Sequence, residues 1–425
     1  MLNKSHYQYL VFYALLLIQP GLSANILAVT TLASPSHHLW HKAYFLGLIE
    51  KGHNITVLGH DEEKQPSANF TMLTLEGVYD KIHKDFNIEG LVNDTPLQSL
   101  KFIWDWELSV CTYDLQTKAI ETLLNYPKDY KFDLIIWDIN SGRCLYPIID
   151  RFKRPPLIAT SPYGVHSFMD YIFGNHIFSY IPFYHVNPLD QSNIFERLAN
   201  FFYIHVMNLS SRYYSIPREF EISKKFFGDK IRSIDEVERT MNLLISNNDP
   251  VVDYSRPLPP NIIPVAGIHI QHVKKLPKDI ENILNETTHG VVLVAFGTNL
   301  NLANFGEIQR QAFFETFRRL PQTVLIKSPK LEMDIPENVI LRKWLPQSDI
   351  LAHPNVRLFI THGGALSTQE AMYHGVPIVG MPFYLDQHGN MFRINARKIG
   401  RRINYLEATF DVVYNTVTDV LNDPT

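Results

Sequence analysis

Short apolar runs alternate with helical stretches along most of this 425-residue chain. The first unit begins with the run NILAVTT at residue 25 and ends with the run NITVLGH at residue 54. A strand, a helix and a second strand within about forty residues form a βαβ unit, which implies a parallel sheet. In the helical stretch between the two runs, apolar residues lie on one face: Leu39, Ala43, Leu46 and Ile49.

The alternating pattern occurs in two blocks. The first block contains the further strand candidates FTMLTL, FDLIIWD, PPLIATS, NLLISN and NIIPVAGI. The second block contains GVVLVAFGT, TVLIKS, NVILRKW, VRLFIT, PIVGMPF and RRINY. We therefore predict an N-terminal α/β domain over residues 25–270, a linker over 271–285 and a C-terminal α/β domain over 286–425. In such sheets, ligands bind beyond the carboxyl ends of the strands.

The overall composition excludes some functional classes. The formal charge is −4 and the sequence pI is near 6.5, without a long basic run, so we predict no nucleic-acid partner. The two cysteines, Cys111 and Cys144, are too few for a disulfide framework or a zinc site.

The N-terminus has the pattern of a secretory signal peptide. Lys4 precedes the apolar run YLVFYALLLI, and the small residues Gly21, Ser23 and Ala24 follow it, so we predict a signal peptide over residues 1–24. The alternative is a membrane anchor, but the run is shorter than the ~20 residues that cross a bilayer. Glycosylation sequons fit a luminal or secreted chain, and they occur at Asn54, Asn69, Asn93, Asn208 and Asn285.

The stretch FITHGGALSTQEAMYHGVP, residues 359–377, leaves a predicted strand through a histidine and two glycines and enters a helix. Glycines permit close approach of a ligand, and a helix N-terminus offers free N–H groups to an anion. The stretch is therefore consistent with a diphosphate site to which His362 and Ser367 donate hydrogen bonds. It is equally consistent with an ordinary capping box formed by Ser367 and Glu370.

The flanking residues favour a nucleotide sugar. Upstream, Trp344 can stack on a planar base, and Gln347 can hydrogen-bond to the base or the ribose. Glu370 can accept hydrogen bonds from ribose hydroxyls. Downstream, Asp386 and Gln387 suit the vicinal hydroxyls of a sugar.

The segment from WLPQ at residue 344 to DQHGN at residue 386 resembles the signature of the UDP-glycosyltransferases, and most of all that of their insect members. The resemblance extends over nearly the whole chain. It implies a GT-B fold, in which two Rossmann-like domains face each other across a cleft. It also implies that Trp344 stacks on uracil, Gln347 contacts the uridine and Glu370 binds the ribose.

The resemblance also assigns the remaining donor contacts. The residues matched to the phosphates are His362, Gly364 and Ser367, and Thr298 of FGT lies near the diphosphate. Asp386 and Gln387 are matched to the transferred sugar. One position departs from plant and vertebrate relatives, which usually have Asn where this chain has Leu366; insect members commonly share the change.

A catalytic pair is expected in the first domain. His37 follows the first strand, sixteen positions before His53, which is the spacing at which the family carries its general base. A neutral imidazole suits proton removal from an acceptor hydroxyl, and Asp138, at the end of FDLIIWD, would orient it. The alternatives are a surface histidine and an aspartate that caps a turn. His38 is the second candidate for the base.

Together these expectations describe an enzyme, an inverting UDP-glycosyltransferase that uses no metal and no cofactor beyond the UDP-sugar. By analogy with insect members, the sugar is glucose. A hydrophobic small molecule is the expected acceptor, because the aromatic stretch from Tyr163 can line an apolar cleft; its alternative is helix core. The family resides in the lumen of the endoplasmic reticulum and continues into a membrane helix beyond this sequence, which leaves a luminal or secreted chain here. The competing interpretations are an inactive nucleotide-sugar-binding fragment and, last, a secreted carrier.

Overall fold

The computed structural model describes residues 23–63, 67–80, 95–183, 193–297, 300–329, 331 and 333–423. The predicted signal peptide and Thr298 lie outside these residues, apart from Ser23 and Ala24. Within the described residues the strands form two sheets, and every strand pair in both sheets is parallel. This confirms the prediction of two parallel α/β units.

The first sheet has the order β3-β2-β1-β4-β5-β6-β7. Its strands are β1 (Asn25–Thr30), β2 (Asn54–Gly59), β3 (Phe70–Thr74), β4 (Leu134–Asp138), β5 (Leu157–Ser161), β6 (Met241–Ser246) and β7 (Ile262–Pro264).

The second sheet has the order β10-β9-β8-β11-β12-β13. Its strands are β8 (Val291–Ala295), β9 (Thr323–Lys327), β10 (Val339–Arg342), β11 (Val356–Thr361), β12 (Ile378–Gly380) and β13 (Gly400–Arg402).

Helices connect the strands and cover both sheets. Those described in the first half are α1 (Pro35–Glu50), α2 (Pro96–Asp114), α3 (Lys118–Leu124), α4 (Pro147–Arg151), α5 (Ser167–Phe173), α6 (Ile194–Ser210), α7 (Ile216–Phe227) and α8 (Ile234–Glu238). Those described in the second half are α9 (Lys278–Glu286), α10 (Glu307–Arg319), α11 (Gln347–Leu351), α12 (Ala365–Tyr373), α13 (Gln387–Ala396) and α14 (Phe410–Asn422).

The central strands are buried on both faces, as expected for a parallel sheet between two helical layers. All five residues of β8 are buried. Leu27 of β1 and Ile136 of β4 belong to separate apolar clusters, and those clusters lie on opposite faces of the first sheet because neighbouring residues alternate. Each sheet therefore supports its own hydrophobic core.

Helix α1 buries a different face from the predicted one. Leu39 and Leu46, placed on the apolar face by spacing, are 48% and 40% exposed. The buried positions of this helix are His37, Trp40, His41 and Phe45. The prediction of the face was wrong because two of the inward positions are histidines, which hydrogen-bond to the sheet and which an apolar periodicity does not count.

Three further observations extend the predictions made from the sequence. Part of the stretch assigned to a linker belongs to α9, whose Ile280 and Leu284 lie in the core of the second sheet. Cys111 and Cys144 form a disulfide, with a Cα–Cα distance of 6.3 Å, that joins α2 to the turn after β4. No helix within the described ranges is both long and apolar enough to cross a membrane.

Candidate functional site

A cavity of about 960 Å³ lies between the two sheets. The segments that line it follow β1, β4 and β5 in the first sheet and β8, β11 and β12 in the second. These six segments lie at the carboxyl ends of strands, where open α/β sheets bind ligands, and residues of α2 and α6 complete the wall. The cavity is therefore the candidate active site.

The strand order reverses at two points that face this cavity. In the first sheet β1 lies between β2 and β4, and in the second sheet β8 lies between β9 and β11. The connections that leave β1 and β4, and those that leave β8 and β11, run in opposite directions and open a crevice. His37 and Asp138 belong to the first crevice, and Gly297 and His362 belong to the second.

In the first crevice His37 and Asp138 form a buried pair. The sequence pattern predicts a loop, LASPSHH, for His37 and its neighbours; this prediction was wrong, because His37 is the third residue of α1. Its Nδ1 donates to Oδ2 of Asp138 at 3.0 Å, and the two residues are 2% and 1% exposed. His37 lines the cavity, and its Nε2 has no hydrogen-bond partner among the described residues. This nitrogen is therefore available to a ligand.

Asp138 is held as a carboxylate. Burial alone would raise its pKa, but His37, His41 and the hydrogen bond from Asn140 outweigh burial and lower the pKa below its ordinary value. Asn140 donates its backbone N–H and its amide Nδ2 to Oδ1, at 3.1 and 2.7 Å. One oxygen of Asp138 thus caps a turn while the other fixes the Nδ1–H tautomer of His37.

His41 was not assigned a role from the sequence, yet it supports His37. It is fully buried one turn further along α1, and its Nδ1 donates to the carbonyl oxygen of His37 at 2.9 Å. Its Nε2 lies 2.9 Å from the hydroxyl of Thr160 at the end of β5. Burial lowers the pKa of His41 to about 4, so it is neutral. His38, the second candidate for the base, does not line the cavity.

In the second crevice His362 lies between two glycines. A Cβ at Gly297 or Gly364 would lie 2.8 or 2.6 Å from ring nitrogen Nε2 of His362, so a side chain at either position would displace the ring or the backbone. The next glycine, Gly363, has a φ of +83°, which turns the chain from β11 into α12. Burial lowers the pKa of His362 to about 4. His362 is therefore a neutral group that can donate one hydrogen bond.

The start of α12 is not a capping box. Gly364 is its N-cap and forms no side-chain cap hydrogen bond. Ser367 and Glu370 instead accept hydrogen bonds from Nε2 of Gln347, at 3.0 and 2.7 Å. The capping interpretation is therefore wrong, and the first N–H groups of the helix remain available to an anion.

Glu370 and Trp344 surround the position expected for a nucleoside. Burial raises the pKa of Glu370 to about 7, although the hydrogen bond from Gln347 lowers it. Trp344 also lines the cavity and is 67% exposed, so a face of the indole is open to a planar group. His269, which sequence reasoning missed, donates to the carbonyl of Leu366 at 3.2 Å and lies 3.9 Å from Glu370.

Asp386 and Gln387 lie at the start of α13 and line the cavity. The side-chain oxygen of Gln387 accepts from the backbone N–H groups of Phe383 and Tyr384, at 2.9 and 3.3 Å. This leaves the amide NH₂ of Gln387 as its remaining polar group. Asp386 accepts from Asn390 at 2.7 Å, and burial raises its pKa. A carboxyl and an amide donor thus stand side by side.

Comparison with known proteins places this chain in a family. A family model described as "UDP-glucoronosyl and UDP-glucosyl transferase" matches residues 26–425. The UDP-glycosyltransferase UGT5 of Dactylopius coccus is 33% identical over 424 residues, which cover 97% of this chain and 80% of that protein. The human UDP-glucuronosyltransferase 3A1 is 31% identical, over 94% of this chain and 78% of its own length.

Solved structures are similar in fold. Arabidopsis thaliana UGT89C1, crystallised with UDP, has a TM-score of 0.60 at 15% identity, with 95% of this chain and 91% of that chain covered. The glycosyltransferase VinC, crystallised with dTDP, has a TM-score of 0.60, also at 15% identity, with 94% and 92% covered. These matches confirm the predicted GT-B fold. The chain belongs to the UDP-glycosyltransferase family, and it is an enzyme that transfers a sugar from a UDP-sugar donor.

Proposed function

We propose that this enzyme transfers a hexose, with inversion and without a metal ion, to a hydroxyl of a small lipophilic acceptor. The observation that carries the proposal is the buried His37–Asp138 pair, whose free Nε2 belongs to the cavity wall. A neutral imidazole held by a carboxylate is suited to accept a proton from an attacking hydroxyl.

The proposed reaction uses this pair as its base. The acceptor hydroxyl donates to Nε2 of His37, and its oxygen forms a bond to C1 of the sugar from the face opposite UDP. The bond between C1 and the β-phosphate oxygen breaks, and its electron pair leaves with UDP. The proton remains on His37, and the resulting imidazolium is stabilised by the ionised Asp138 at 3.0 Å.

The departing diphosphate lies against donors of the second crevice. The first N–H groups of α12, the neutral His362 and the hydroxyl of Ser367 can each donate to phosphate oxygens. The dipole of the nine-residue helix also favours an anion at this end. Donors that are already in place stabilise charge that develops on the leaving group.

Glucose is the sugar that we propose. Asp386 accepts and the amide of Gln387 donates, which matches two adjacent hydroxyls of a hexose. UDP-glucosyltransferase 2 of Dactylopius coccus is 30% identical over 94% of this chain, and its name indicates glucose for that protein.

The acceptor half of the cavity supports a lipophilic substrate. Apolar side chains from three different helices line it, beside the catalytic histidine: Phe102, Ile103, Phe168 and Met207. Tyr163, at the start of the aromatic region, also lines the cavity, and its ring packs edge-on against His37 with 4.5 Å between centroids.

We also propose that the protein resides in the lumen of the secretory pathway. The predicted signal peptide supports this location. So does the Cys111–Cys144 disulfide, because such bonds persist in oxidising compartments and are rare in the cytosol.

The test offers UDP-glucose, UDP-glucuronic acid and UDP-galactose separately with a phenolic acceptor, in the presence and absence of EDTA. We expect a conjugate from UDP-glucose, with the opposite anomeric configuration and no effect of EDTA. A conjugate from another donor would correct the sugar. No conjugate from any donor, despite UDP binding, would leave the inactive binding protein as the better interpretation.

A further inference from the structure

Strand β9 ends in a lysine that the proposed mechanism does not use. Lys327 is half-buried and lines the cavity, and its Nζ donates to the carbonyl oxygen of Gly297 at 3.1 Å. Among the described residues no carboxylate forms an ion pair with it. Burial lowers the pKa of Lys327, although the charge of Glu370 opposes this effect. An ammonium group without a counter-ion in a cleft is a candidate site for an anion.

The neighbours of Lys327 show which part of a donor it can reach. Gly297 packs directly against His362, since a Cβ on Gly297 would lie 2.8 Å from the imidazole. The ammonium group of Lys327 therefore contacts Gly297, which in turn contacts His362 at the expected diphosphate site. The charge of Lys327 is also the second cause, after burial, of the lowered pKa of His362.

The other cations of the cavity wall are arranged differently. Arg143 is paired with Glu238 at 3.1 Å, and Arg402 donates to Nδ1 of His388 at 3.2 Å. Lys274 is exposed to solvent. Within the described part of the cavity, Lys327 is thus a half-buried cation whose ammonium group donates to a backbone carbonyl, an acceptor that a phosphate can replace.

We propose that Lys327 binds the β-phosphate of the UDP-sugar and stabilises the charge on departing UDP. This inference rests on the proposed transferase function. When the bond between C1 and the β-phosphate oxygen breaks, its electron pair adds one negative charge to the diphosphate, while the acceptor proton moves to His37. The helix end and the neutral His362 supply dipoles only, and Lys327 supplies a full positive charge close to that oxygen.

The experiment compares uridine, UMP and UDP in calorimetric titrations of the wild type, Lys327→Gln and Lys327→Arg. A charge-assisted hydrogen bond to one phosphate increases the affinity for the ligand by about 10- to 100-fold. We expect Lys327→Gln to lose this factor for UDP and to bind uridine as the wild type does. Lys327→Arg should recover most of the loss. In turnover, Lys327→Gln should lower kcat in addition to raising the KM for the donor.

Arg402→Gln is the matched control, because it removes a cation from the same cavity wall at the His388 side. We expect it to leave the UDP-to-uridine ratio unchanged. An equal loss of UDP affinity in Arg402→Gln would overturn the assignment, because the effect would then come from the overall positive charge of the cavity. An equal loss of uridine affinity in Lys327→Gln would show that Lys327 has a structural role. If the wild type binds UDP but forms no conjugate, the transferase proposal fails while the phosphate contact stands. If the wild type forms conjugate and Lys327→Gln keeps its preference for UDP, the assignment of Lys327 fails alone.

Discussion

The two halves of the cleft differ in which of their functional groups hydrogen-bond to one another. In the first half, His37 and Asp138 have the contact that the proposed catalysis needs, and Nε2 of His37 has no hydrogen-bond partner among the described residues. In the second half, groups expected to bind the donor bind one another: Gln347 holds both Ser367 and Glu370. The catalytic half is therefore preorganised, whereas donor binding exchanges internal hydrogen bonds for contacts with the ligand.

The largest expected effect tests the preorganised half. His37→Ala removes the base, so kcat should fall by about 10²- to 10⁴-fold, the usual contribution of general base catalysis. The affinity for UDP should not change, because the expected uridine contacts belong to the other half. Rates at saturating donor, together with calorimetric titration of UDP, measure the two effects separately.

Asp138→Asn sharpens the same test, since it retains the size of the side chain but lacks the charge that stabilises the imidazolium. It should also lower kcat. His38→Ala should behave as the wild type, because His38 does not line the cavity. A large loss of kcat in His38→Ala with little loss in His37→Ala would show that His38, and not His37, is the base.

The next largest effect is expected from a substitution that disturbs only the donor half. Gly364→Ala places a methyl group 2.6 Å from Nε2 of His362, so either the ring or the start of α12 must move. Overpacking of this kind costs about 1–3 kcal/mol, and we expect UDP affinity to fall about tenfold or more.

The control for this variant is Gly47→Ala in α1, where an added Cβ meets nothing within 4 Å. It should bind UDP normally. Unchanged UDP binding in Gly364→Ala would mean that the close approach of Gly364 and His362 is not part of the diphosphate site.

A pH profile tests whether the donor half must be reorganised. Burial raises the pKa of Glu370 to about 7, so the free enzyme is largely protonated at this position at pH 6 and largely ionised at pH 8. Ribose hydroxyls are bound best by the carboxylate, so donor binding releases a proton and affinity rises with pH. If only the ionised form of Glu370 binds ribose, a pKa of about 7 gives about a tenfold increase in affinity from pH 6 to pH 8.

Calorimetric titration of uridine measures this increase without the ionisation of the phosphates. Glu370→Gln should bind more weakly and show a flat profile over the same range. A sloping profile that persists in Glu370→Gln would assign the proton to another group.

The same contrast explains what could be predicted from the sequence. Most of the donor half is contiguous in sequence: between residues 344 and 390 lie residues expected to contact the base, the ribose, the phosphates and the sugar of the donor. In the structure these residues line one cavity. His37 and Asp138 lie 101 positions apart, and they meet because β1 and β4 are neighbours in the sheet. Strand order is not contained in a local pattern, so this pair depended on the resemblance.

The residues that sequence reasoning missed act through contacts made across the fold. His41 reaches Thr160, which is 119 positions away, and His269 reaches the carbonyl of Leu366 from another segment. Lys327 had a weak signal, since a lysine that ends an apolar strand lies at the edge where ligands bind. The face of α1 was predicted wrongly for a related reason: polar residues that are buried because they bind the sheet do not follow apolar periodicity.

The smallest expected effect concerns the loop before the sugar residues. Leu385 precedes Asp386 with a φ of +55°, a left-handed conformation that costs an L-residue about 1 kcal/mol and that glycine adopts readily. Leu385→Gly should therefore raise the midpoint of thermal unfolding slightly. It should also raise the KM for the UDP-sugar, because a flexible residue no longer fixes Asp386 before the ligand arrives.

Lys398→Gly is the matched control, since Lys398 has a φ of +60° in an exposed turn that does not line the cavity. It should show the gain in the unfolding midpoint without a change in KM. If Leu385→Gly behaves in the same way, the left-handed conformation of Leu385 affects stability but not donor binding. A higher KM in Leu385→Gly alone would show that the sugar end of the donor half is preorganised as the catalytic pair is, and that reorganisation on binding is confined to the nucleoside end around Gln347 and Glu370.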